Sequence, residues 1–194
     1  MRAAWQSASR LLAALVVAAC HKAPAPAAQA PGAIPDSTFG AVATDSAAQS
    51  AGRFAQAFYD WYQSQGERFE VALKDSPAAF APGLLAAMNA DIAAQAATPD
   101  EVVGLDWDPF LATQDPCDPY RVGRTTRRAD TILVTVRGMC ADRQPGAGPD
   151  VVAELGRSNG RWVFLDFRHA GDAGSLLQDL AALRAERAGD KSHD

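Results

Sequence analysis

Residues 151–168, VVAELGRSNGRWVFLDFR, decide how the rest of the chain is read. VVAELG is rich in branched apolar side chains. Beyond it Trp162, Phe164 and Asp166 alternate with Val163, Leu165 and Phe167. Between the two runs stands Ser158-Asn159-Gly160, a turn signal built on residues that tolerate positive φ. The stretch predicts a β-hairpin with strands 151–157 and 161–168. Upstream, Ile132, Val134 and Val136 interleave with Thr131, Leu133 and Thr135, a further strand. Residues 119–128 suggest one more, and QPGAGP at 144–149 reads as a loop.

On either side of the strands the period changes to that of a helix. Phe54, Phe58, Trp61 and Tyr62 recur at i, i+4, i+7 and i+8, which predicts a helix over 46–65 with Gly66 as its stop. Ser76-Pro77 reads as a helix start. Leu84, Leu85, Met88 and Ile92 give a second helix over 83–96, broken at Thr98-Pro99. Leu176, Leu177, Leu180 and Leu183 give a last helix over 174–188, with Gly189 as its natural end. Helices, then a meander of strands, then a helix is an α+β plan: N-terminal helices packed on a curved antiparallel sheet, with a C-terminal helix.

The chain of 194 residues carries a formal charge of −5. Its 42 alanines mean that the 48% hydrophobic fraction overstates the large apolar side chains available for a core. Its first 19 residues hold Arg2 and Arg10 and no acid, so without them the charge falls to −7. Phosphate backbones demand a basic surface, so no nucleic-acid partner is expected. Arg2 and Arg10 precede the apolar run Leu11–Ala19, too short to span a bilayer and suited to a signal peptide.

The end of that run, Val17-Ala18-Ala19-Cys20, resembles the lipobox of bacterial lipoproteins. The resemblance implies cleavage before Cys20, acylation of Cys20, and a membrane partner through the lipid. Residue 21 is His rather than Asp, which in enterobacterial-type sorting implies the outer membrane, with the protein facing the periplasm. Residues 20–45, rich in Ala and Pro, read as a tether, and 46–190 as a single domain. With Cys20 assigned to the lipid, Cys117 and Cys140 remain as an even pair in an oxidising compartment. They lie before one expected strand and at the end of the next, ends that meet in an antiparallel pair. A disulfide is expected there, two free thiols being the alternative. No metal ligand set and no cofactor motif is present in the sequence.

Tyr59-x-Trp61-Tyr62, then Asp108-Pro109-Phe110-Leu111 with Gln114-Asp115, then Asn159-Gly160-x-Trp162 followed by Asp166, and the Leu-rich last helix together resemble a domain-of-unknown-function family of Gram-negative lipoproteins. That family is similar to the nuclear transport factor 2-like (cystatin-like) superfamily, a long helix wrapped by a curved sheet. The resemblance spans about residues 50–185. It implies a non-catalytic binding module, and some members look like immunity proteins that neutralise an antibacterial effector by protein–protein binding. A secreted toxin or effector is the partner so implied.

The residues offer further candidates. Tyr59, Trp61, Tyr62, Trp107 and Phe110 can line an apolar pocket for a small ligand, and equally suit an ordinary core. Asp108, Gln114 and Asp115 can bind a ligand or cap a corner. Arg121, Arg124, Arg127 and Arg128 concentrate positive charge in an acidic protein, either to dock an acidic partner or to keep an edge strand solvated. Asp166 with His169 is the one pair with acid–base potential, and an enzyme built on it is the rival to the binding readings.

Overall fold

The computed structural model describes residues 45–142, 148–170 and 174–190. The expected signal peptide, the lipidation site Cys20 and all of the tether before Asp45 lie outside the described residues. The described residues belong to one compact unit. The fold is α+β, with four α-helices and one open, four-stranded antiparallel sheet among the described residues.

Helix α1 spans Ser46–Ser64. The carboxylate of Asp45 caps it, accepting hydrogen bonds from Ala47 N at 3.1 Å and Ala48 N at 3.2 Å. Gly66 ends it with φ of 76°, a left-handed conformation open to glycine. Its buried face is Ala48, Ala51, Gly52, Ala55, Phe58, Tyr59 and Tyr62. The small residues let the helix lie close to the sheet. A Cβ at Gly52 would stand 3.0 Å from a methyl of Thr125.

Helix α2 (Phe69–Asp75), absent from the sequence reading, is one short segment with only Ala72 and Leu73 buried. Ser76-Pro77 starts a single 3-10 turn, Pro77–Ala79, rather than the second long helix, and the Ser76 side chain makes no capping bond. Helix α3 begins at Pro82 and runs to Ala97. Helix α4 is Leu176–Asp190, so Gly189 lies inside it and is not its end.

The strands are β1 (Tyr120–Arg128), β2 (Thr131–Gly138), β3 (Val151–Ser158) and β4 (Arg161–His169), paired in chain order. Asn159 and Gly160 both have positive φ, 51° and 76°, as a two-residue hairpin turn that follows strand twist requires. Ile132, Val134, Val136, Val151, Ala153 and Leu155 are buried on one face, whereas Leu133, Thr135, Val152 and Glu154 on the other are only half-buried.

Two irregularities set which side chains share the inner face. In β4 the pairing passes from Glu154↔Asp166 to Leu155↔Phe164, so Leu165 is an extra residue. Phe167 therefore joins Trp162 and Phe164 inside, where strict alternation would turn it out. In β1 the pairing passes from Val122↔Val136 to Thr125↔Val134. That bulge puts Arg121, Arg124 and Arg128 on the outer face although their spacing is not a constant two.

Candidate functional site

The inner face is filled with rings. Phe58 lies 4.8 Å from Phe164 and 5.5 Å from Phe110, centroid to centroid, both in T-shaped contact. Phe80, Phe110, Phe164 and Phe167 close the same cluster. Tyr59 is fully buried and donates its hydroxyl to Phe110 O at 2.9 Å. Tyr62 is fully buried and donates to a carboxylate oxygen of Asp108. Trp61 is half-buried at the rim against Phe58. Tyr59, Tyr62 and Phe110 thus fill the core and do not line one open pocket with Trp107.

Asp108 organises the loop that covers this core. Its Oδ1 accepts from Phe110 N at 2.8 Å and Leu111 N at 3.0 Å, which caps the turn. Burial pushes its carboxyl up to about 6, against the pull of these hydrogen bonds. Burial, then the nearby Asp108 charge, pushes the Tyr62 phenol well above its ordinary range. Gln114 donates to Asp106 O at 2.8 Å, and Asp115 closes a small turn with the Thr113 hydroxyl. Both stay within the loop. Cys117 and Cys140 form the expected disulfide, Cα to Cα 5.1 Å, which ties the loop to the end of β2.

A cavity of about 270 Å³ opens beside that loop, lined by Trp107, Ala112, Asp150, His169 and Ala170. Trp107 and His169 meet edge to face, centroids 4.5 Å apart. His169 Nε2 is 3.0 Å from Pro109 O and donates to it, and Nδ1 is buried without a hydrogen-bond partner among the described residues. Asp166 points elsewhere: its Oδ1 accepts from Phe167 N at 2.9 Å and from Leu177 N at 3.1 Å, at the start of α4. The anticipated acid–base pair of Asp166 and His169 is not formed. The carboxylate near His169 is that of Asp150, which accepts from Gly138 N at 2.6 Å.

The four arginines split by face. Arg127 points inward and grips Asp45 through two bonds of 2.8 and 2.9 Å. That guanidinium, helped by Ala48 N, holds the Asp45 carboxyl down at about 2. Arg121 makes a long, exposed pair with Asp60 at 3.4 Å, worth little in water. Arg124 and Arg128 are exposed and make no ion pair among the described residues.

Three side chains on α1 and α3 with structural importance escaped the sequence reading. Gln56 and Gln63 bond to the backbone of β1, and their i, i+7 spacing was the available signal. Asp91, 3% exposed, accepts from Arg187 at 2.7 Å and from Leu105 N at 2.9 Å, joining α3, α4 and the following loop.

No family model, no curated protein and no solved structure matches the chain. Among the described residues no group of three or more His, Cys, Asp or Glu is placed to hold a metal. No described helix is long and apolar enough to cross a membrane.

Proposed function

We propose that the chain is a lipoprotein of the outer membrane, held by acylated Cys20 and facing the periplasm, whose domain is a non-catalytic protein-binding module. The most concrete form of this reading is an immunity-type inhibitor that neutralises an antibacterial effector. The finer fold belongs to the same proposal: a nuclear transport factor 2-like cone, long helix inside and sheet around it, as the resemblance of residues 50–185 implies.

The observation that carries the reading is the contrast between the two sheet faces. The inner face is packed with rings from α1, β1 and β4 and from the segments that carry Phe80 and Phe110. The outer face is only half-buried at Leu133, Thr135 and Val152, and it is rimmed by Arg124 and Arg128. A filled interior leaves little room for a substrate, whereas a half-apolar face with arginines at its rim offers a protein partner apolar area and positive charge that is unpaired among the described residues. The test pairs the chain with the product of the gene that neighbours its own. Association in a pull-down, and sensitivity of the deletion strain to sister cells, are expected; absence of both overturns the reading. Loss of membrane fractionation in Cys20→Ala checks the anchor.

A second reading has one observation in its favour, the cavity beside Trp107 and His169 with a ring nitrogen that has no partner among the described residues. A small envelope ligand with a hydrogen-bond donor would suit it. Imidazole-ring chemical shifts of His169 that stay unchanged when cell-envelope extract is added would dismiss it.

A further inference from the structure

We infer that the second half of β1, Thr125–Arg128, takes an added strand from an acidic protein partner. The inference rests on the binding-module reading and names its surface and the partner's chemistry.

An open sheet has two edges, and each exposes backbone donors and acceptors that natural proteins cover or defend. The β4 edge is covered at Phe164, whose carbonyl accepts from Ala81 N at 2.8 Å while Phe80 bridges alongside in parallel. The first half of the β1 edge is covered by side chains of α1. Gln56 Oε1 accepts from Val122 N at 2.8 Å, and Gln56 Nε2 donates to Tyr120 O at 3.2 Å. Gln63 Oε1 accepts from Tyr120 N at 2.9 Å. A carboxamide carries the same donor and acceptor as a peptide group, so the two glutamines stand where a neighbouring strand would be. This cover stops at Val122.

Past the bulge, Thr125, Thr126 and Arg127 make no backbone bond beyond β2 among the described residues. The bulge turns Arg124 and Arg128 outward at this open stretch, both exposed and without an acid. In an added strand, every second side chain faces outward, about 7 Å from the next. Carboxylates at those alternate positions would meet Arg124 and Arg128, while the main chain paired with Thr125–Arg128. The fitting partner therefore presents an extended segment with acids at alternate positions.

The experiment uses the full chain in detergent and two synthetic peptides of equal charge, Glu and Val alternating four times, and four Glu followed by four Val. The alternating peptide should bind about tenfold tighter and slow amide exchange at Thr125–Arg128. Arg124→Glu with Arg128→Glu should weaken it about tenfold, and the charge-matched control, Arg53→Glu with Arg184→Glu, less than about twofold. Equal loss in both double variants, equal binding of both peptides, or slowed exchange elsewhere overturns the inference. The product of the neighbouring gene separates the two levels. If Arg124→Glu/Arg128→Glu captures it as well as wild type does, the strand-addition inference fails and the binding-module reading stands. If wild type does not bind it and the deletion strain is no more sensitive to sister cells, that reading itself fails.

Discussion

Replacing Asp108 by Asn should make the protein more stable near neutral pH and change how its stability depends on pH. The carboxyl sits under the loop before β1, receives the Tyr62 hydroxyl and two backbone N–H groups, and titrates at about 6 rather than the ordinary 3.8. Burial is the main cause of the shift. A raised carboxyl pKa means the folded state favours the protonated form. Its contribution is fully present below about pH 4 and is lost as pH climbs through about 6. Two pKa units correspond to about 3 kcal/mol, and partial solvent access brings this to about 2 to 3 kcal/mol. Asn keeps the acceptor for Phe110 and Leu111 N–H and has no charge to bury. The difference in unfolding free energy between Asp108→Asn and wild type, from urea titrations at pH 4 and pH 7.5, should therefore move by about 2 to 3 kcal/mol in favour of the variant. A difference that stays constant across this window would refute the assignment of a strained carboxylate to Asp108.

Three further outcomes are expected. Replacing Cys117 and Cys140 by Ala opens a loop spanning 23 residues and should cost about 3 kcal/mol, read from the urea midpoint under non-reducing conditions. Arg187→Met leaves Asp91 buried without its cation and should cost about 3 kcal/mol, and adding Asp91→Asn should recover part of the loss; no recovery would mean that packing of the Arg187 stem, not its charge, holds α3 to α4. Ala129, with φ of 50° in the β1–β2 turn, is strained for a residue with a Cβ, so Ala129→Gly should raise the thermal midpoint by an amount equivalent to about 0.5 kcal/mol.

The architecture was legible where a period and a stop signal coincided. The stripe Phe54, Phe58, Trp61, Tyr62 with Gly66 behind it located α1, and Asn159-Gly160 located the β3–β4 turn. The cysteine pair was legible because strand ends fix which residues can meet. Helix α2 was not, because a seven-residue helix burying only Ala72 and Leu73 has no measurable period. The inward turn of Phe167 was not legible, since a bulge inserts a residue without any marker in the local sequence. Tyr59 and Tyr62 looked alike in core and pocket readings; what decides between them is whether partners fill the space, and those partners, Phe110 and Asp108, lie about fifty residues away. Asp166 and His169 are close in sequence, but their side chains leave β4 in different directions and find different partners.

The glutamine contacts carry a consequence for how the domain opens. Gln63 reaches Tyr120 across 57 positions and Gln56 reaches Val122 across 66. Helix α1 cannot lift from the sheet without stripping hydrogen bonds from Tyr120 and Val122, and those residues cannot leave β2 without orphaning both carboxamides. The helix and the start of β1 therefore form one cooperative unit assembled from distant parts of the chain. Their amides should exchange with solvent together, while Thr126 to Arg128, on the same strand, exchange on their own schedule.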